Sequence, residues 1–182
     1  MLISSAEAEN NAVLSAAYEL AAAARTAPKA CGRDHLETVI ITGTDKDALA
    51  EKMREMAAAG DSIFLRDADN IDKSAAVVAI GVKEQVRGLG EGCNLCHQGG
   101  CAGCAKSGAV CMLDPIDLGI AIGSAASKAA DLRMDNRVYY TAGKAVIALN
   151  FLPGCTAAFA IALSVSGKSP FFDRYDPVRC RK

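Results

Sequence analysis

Five cysteines, Cys93, Cys96, Cys101, Cys104 and Cys111, crowd into one short run of the chain, and thiols gathered this closely do the chemistry of metal binding. The first three spell C-x2-C-x4-C. A two-residue gap lets both sulfurs of a turn point at one centre while backbone amides stay free to hydrogen-bond them, and Gly92, Gly99 and Gly100 permit the tight backbone such a loop needs. With Cys111 as the fourth thiolate, the set suits a cubane 4Fe–4S cluster. Two other readings use the same letters. Cys96, Cys101 and Cys104 form C-x4-C-x2-C, the plant-type 2Fe–2S spacing, which leaves Cys93 unexplained and needs a distant fourth cysteine. The pairs Cys93/Cys96 and Cys101/Cys104 are two C-x2-C knuckles for zinc, set much closer together than the usual spacing of about 15–20 residues. Five thiols thus compete for four places, and Cys104 is the expected spare.

The other candidate groups have plainer readings. Cys31, Cys155 and Cys180 are isolated in sequence, and a lone cysteine is commonly a small buried hydrophobe. His97 adjoins Cys96 but is expected to face solvent, and His35 has no sequence neighbour that would make it a base. Asp135, Asn136 and Arg137 read as a helix cap.

Composition narrows the function classes. A net charge of −1 with no basic run offers no footprint for a phosphate backbone, and the absence of Trp with 5% aromatic residues argues against a base-stacking surface. No stretch reaches the roughly 18 uninterrupted apolar residues of a spanning helix. The start carries Glu7 and Glu9 where a signal peptide would be apolar. A cytoplasmic location is therefore expected, and in a reducing compartment the thiols read as ligands and not as a disulfide framework.

Around the thiols, the chain of 182 residues, 51% of them hydrophobic, reads as one domain of α+β or α/β class. Val13, Leu14, Ala17 and Leu20 recur at helical spacing, predicting a helix over Ala6–Ala24 that Pro28 ends. Leu36–Thr42 reads as a buried strand, and a helix over Lys46–Ala59 follows it, capped by Thr44 or Asp45 and closed by Gly60. Ser62–Leu65 reads as a short strand, and Ala75–Val82, apolar throughout, as a central one. Gly88–Gly108 reads as a loop-rich insertion, the metal-binding segment spanning about 88–113. Asp114 and Pro115 should start a helix over Ile116–Arg133; a further helix runs over Val138–Leu149 and a last strand over Ala157–Ser166.

The segment Ala22–Ala30, with its Ala-Pro turn, followed by the strand Leu36–Thr42, resembles the nitroreductase pattern. Together with CNLCHQGGC, the Asp114–Arg137 stretch and the tail Ser164–Arg174, nearly the whole chain resembles a prokaryotic family of ferredoxin-domain-containing proteins with a nitroreductase-like fold. The resemblance implies a mixed sheet flanked by helices, a homodimer, and FMN reduced by a nicotinamide cofactor. Nitroreductases hold the flavin phosphate with an Arg-Arg-Ser-x-Arg motif, where this chain has Glu7–Asn11. Their Asn-x-Gln-Pro-Trp segment is replaced by Cys31–His35, so Arg25, Lys29, Cys31 and Arg33 are the residues left to line a cofactor or substrate cleft. The C-x2-C-x4-C run is similar to the 4Fe–4S module of corrinoid and electron-transport proteins, in which the fourth cysteine lies further on than the nine residues that separate Cys101 from Cys111. The implied function is an iron–sulfur oxidoreductase or electron-transfer protein, FMN its second cofactor; the alternatives are a non-enzymatic carrier or redox sensor and a structural zinc protein.

Overall fold

β2, Ala76–Val82, is buried along its whole length, and its alternating side chains feed two separate cores. A computed structural model describes residues 1–57 and 62–172. On one side, Ala76, Val78 and Ile80 pack against α1 (Ser5–Thr26) and α5 (Leu113–Asp131). On the other, Val77 and Ala79 pack against α2 (Gly43–Ala57), α3 (Ile63–Asp72) and α6 (Tyr140–Ala148). β4, Ala157–Ser164, divides its residues in the same way. A strand that is apolar on both faces must lie between two helical layers, which is how the sequence pattern is realised.

The sheet is antiparallel throughout, in the order β1 (Leu36–Ile41), β2, β4, β3 (Asp135–Tyr139). Ser4 caps α1, its hydroxyl accepting the Glu7 N–H at 3.2 Å. α1 and α5 are tied by the Ser124 hydroxyl donating to the Ala23 carbonyl at 2.9 Å and by Lys128 to Glu19 at 2.7 Å. α3 and α6 are joined by Thr141 donating to the buried Asp67 at 2.7 Å.

Several sequence expectations change. Ser62–Leu65 opens α3 instead of forming a strand, because Phe64, Ala68 and Ile71 bury one helical stripe that the four-residue window missed. Asp135–Arg137 are not a cap. They form edge strand β3, whose partner residues Ala162–Ser164 on β4 supply backbone bonds that outweigh a poor local β propensity. α5 begins at Leu113, so Asp114 and Pro115 lie inside its first turn. The insertion is not all loop, since α4 (Cys101–Ser107) forms within it. The expected stop at Gly60, as well as Cys180 and the end of the tail, lie outside the described residues.

α6 can reach β4 only because residue 143 has no side chain: a Cβ there would stand 1.9 Å from the Ala158 carbonyl oxygen. Gly143→Ala should therefore cost about 1–3 kcal/mol or more in urea unfolding, through overpacking. Gly123 sits exposed in α5 with nothing within 4 Å of such a Cβ. Gly123→Ala should instead stabilise by roughly 0.5–1 kcal/mol, through helix propensity alone.

Candidate metal centre and its support

The chain leaves β2 at Val82, runs out through the cysteines and returns at α5. Within this excursion a compact turn forms at Asn94, whose side-chain oxygen accepts the Gly99 N–H at 2.8 Å and whose carbonyl accepts the His97 N–H at 3.0 Å. The turn holds Cys96. His97 is exposed, as expected, with a left-handed φ of 56°. α4 follows directly and places Cys101 and Cys104 one turn apart on one helix face. A Cβ at residue 103 would stand 1.7 Å from the Gln98 carbonyl oxygen, so only glycine lets the Asn94–Gln98 turn lie flat on this helix.

Cys104 is the most enclosed of the five thiols, only 1% exposed, and donates to the Ala109 carbonyl at 3.2 Å. Burial pushes its thiol up to about 11, and a hydrogen bond with Cys96 and the nearby charges of Cys96, Cys111 and Cys101 push the same way. Cys111 is also buried, while Cys93, Cys96 and Cys101 are half-buried. The expected spare is thus the least exposed of the five thiols. Among the described residues, no three His, Cys, Asp or Glu side chains already form a cage for a metal ion. A cubane puts each thiolate on its own iron, a wider arrangement than four sulfurs at about 2.3 Å around one zinc.

Directly after Cys111 lies a buried charged cluster. Arg87, 1% exposed, places Nη2 2.7 Å from Asp114 and 2.6 Å from Asp117, the two acids of the first turns of α5. Asp114 also accepts the Gln85 N–H at 2.8 Å and faces His35 Nδ1 at 3.2 Å. His35 therefore does have a partner, 79 residues away in sequence, which no local reading reaches. Asp117 accepts the Ala30 N–H at 3.0 Å. Arg87 donates to the Arg33 carbonyl at 2.5 Å, and Arg33 returns a bond to the Arg87 carbonyl at 2.6 Å. Among the described residues Arg87 Nε has no hydrogen-bond partner. Sequence reasoning missed Arg87; its signal was two acids, Asp114 and Asp117, on a helix face that is otherwise apolar (Leu118, Ala121, Ala125, Ala129), which require a buried cation.

The expected cofactor cations are tied into this support. Lys29, whose side chain is 6% exposed, caps the end of α1, donating to the Ala24 and Ala27 carbonyls at 3.1 and 2.9 Å and to that of Arg25. Arg25 is 45% exposed but pairs with Asp34 at 2.7 Å and Glu37 at 3.7 Å. Burial of Asp34 opposes its ionisation, yet the hydrogen bonds from Arg25 and the Leu36 N–H, with the charges of Arg25 and Lys29, hold its carboxyl below the usual range. Cys31 is exposed, against the buried role expected of a lone cysteine, in a turn (Ala30–Gly32) where its φ is 58°. Cys155 is buried, as expected.

Arg87→Met should cost about 3–5 kcal/mol in chemical unfolding, because it leaves two buried carboxylates uncompensated. Adding Asp114→Asn and Asp117→Asn should recover a large part of that loss, which loss of packing alone would not.

A family model described as an uncharacterised protein containing a ferredoxin domain matches residues 107–174, a span that includes Cys111 alone of the five clustered thiols. An uncharacterised protein of Archaeoglobus fulgidus is 38% identical over 182 residues, covering 96% of this chain and 98% of its own. Among solved structures, a nitroreductase with bound FMN from Desulfitobacterium hafniense aligns over 98% of this chain and 87% of its own, with 15% identity and a TM-score of 0.58. Another with bound FMN, from Bacteroides fragilis, aligns over 97% and 84%, with 10% identity and a TM-score of 0.58. Identities that low speak for the fold alone. The chain belongs to the family of uncharacterised proteins containing a ferredoxin domain, built on a nitroreductase-like fold.

Proposed function

We propose that the chain is an iron–sulfur redox protein that relays single electrons, with a 4Fe–4S cluster held by thiolates drawn from Cys93, Cys96, Cys101, Cys104 and Cys111. The observation that carries this reading is Cys104, a buried thiol one helical turn from Cys101 on α4 and lining one cavity with Cys111, on a segment pinned at its base to α5. When bound, the cluster supplies one-electron chemistry. The chain supplies the enclosure, the amides of the Asn94 turn and of α4, and a rigid foot in Arg87 and its two acids.

A second reading, an FMN-dependent oxidoreductase, draws on the fold shared with FMN-bound nitroreductases. The cleft residues Arg25, Lys29, Cys31 and Arg33 do not suit the flavin phosphate. A dianion wants uncommitted charge-assisted donors, and these three cations are committed to carbonyls and to Asp34, Glu37 and the Arg87 backbone. The electron-carrier form is therefore favoured over a flavoenzyme using that cleft, and a structural zinc site is the remaining alternative. We place it as a homodimer, supported by exposed Ile116 and Ile120 on α5 and Leu14 and Tyr18 on α1, two helices that pack side by side. Among the described residues no helix is long and apolar enough to cross a membrane.

Anaerobic purification should yield about four iron and about four acid-labile sulfide per chain, with visible absorbance that bleaches on reduction. No yellow flavin should be released on denaturation. Stoichiometric zinc without iron, from iron-replete cells, would overturn the reading; stoichiometric flavin beside the cluster would favour the oxidoreductase.

A further inference from the structure

We propose that the cavity between α6 and the start of β4 is a binding site for a small aromatic carboxylate, anchored by Lys144. The site is independent of the iron–sulfur reading above. β3 runs beside β4 only from Asp135 opposite Ser164 to Tyr139 opposite Ala160, and the chain then turns into α6. Ala157, Ala158 and Phe159 therefore have β2 on one side and, among the described residues, no strand on the other. α6 lies against that open edge, where Gly143 meets the Ala158 carbonyl. The helix buries Thr141, Ala142, Ala145 and Val146 and leaves Tyr140, Lys144 and Ile147, spaced at helical intervals, along one flank. These three and the run Thr156–Phe159 line a cavity of about 320 Å³.

The lining sets the chemistry of the occupant. Tyr140, Ile147 and Phe159 bring aromatic and aliphatic surface, and no acidic residue is among the lining side chains. The volume falls at the small end of the roughly 300–1,000 Å³ of ligand pockets, which suits a molecule of one or two rings. Lys144 is the one charged residue of the lining. Its Nζ lies 5.9 Å from the centre of the buried Phe64 ring, which packs edge-on against Tyr140 at 6.2 Å. Among the described residues it has no carboxylate partner, whereas Arg25, Lys83 and Lys128 are each paired. An uncommitted cation at an apolar, aromatic slot complements a ligand that is flat and apolar at one end and anionic at the other.

The test uses 2-naphthoate as the probe, with the uncharged 2-naphthamide as its isostere, titrated by calorimetry into the anaerobically purified full chain. Naphthoate should saturate one site per chain and bind at least tenfold more tightly than the amide. Amide resonances of Tyr140, Lys144, Ile147 and Thr156–Phe159 should shift first in the nuclear magnetic resonance spectrum. Lys144→Met, which keeps the stem and removes the charge, should abolish the preference for the acid, and Lys144→Arg should retain it. Equal binding of acid and amide by the wild type, shifts confined to other residues, or no saturation would overturn the proposal. So would shifts of the Tyr140–Ile147 resonances that follow protein concentration and not naphthoate, the signature of a second copy seated in the cavity. The acid–amide comparison and the shift map use wild-type protein, so a variant that misfolds leaves the answer intact.

Discussion

Arg87 holds three parts of the molecule that would otherwise meet only loosely. Its guanidinium lies between Asp114 and Asp117 at the start of α5, while its backbone and side chain clasp Arg33 in the loop after α1. A charge this deeply buried is tolerated only when paired and hydrogen-bonded, and here the pairing also fixes geometry. The segment leaving β2, the helix that receives the chain after Cys111 and the Ala30–His35 loop all converge on the same two carboxylates. Where Cys111 sits relative to the sheet follows from that junction.

The body beneath needs no such device. Its two cores form because β2 and β4 present apolar side chains on both faces, and alanine-rich helices pack closely over them. Alanine surfaces bring backbones together, which is why Gly143 must be bare opposite Ala158. The charged support and the apolar body thus do separate work, one setting the site and the other the layers.

How far the sequence reveals this depends on the range of the interaction. β2 was readable from its own letters, as was the thiol spacing, because both are local patterns. β3 was not: Asp135, Asn136 and Arg137 look like a cap until Ala162–Ser164 lie beside them. α3 was misread because Ser62–Leu65 is shorter than the helical repeat that continues to Ile71. At the site, all five clustered cysteines stand out by spacing, but the enclosure of Cys104 is not legible there, since it depends on Gly103 meeting Gln98 and on the return of the chain at Ala109. Arg87 acquires its role through Asp114 and Asp117, and His35 through Asp114, all remote from them in sequence.

The expected cofactor residues show how one residue type can serve opposite ends. Arg25, Lys29 and Arg33 are cations beside a helix terminus, which by sequence suits an incoming phosphate. In the fold Lys29 satisfies the last carbonyls of α1 and Arg33 braces the Arg87 segment. The contact of Gln85 and Arg87 with Asp114 has a further result. It stitches the two feet of the thiol-bearing excursion together, so that excursion is a ring closed at its base. A ring of this kind can open as its own cooperative unit while the sheet stays folded, much as a clasp works without disturbing the garment it fastens.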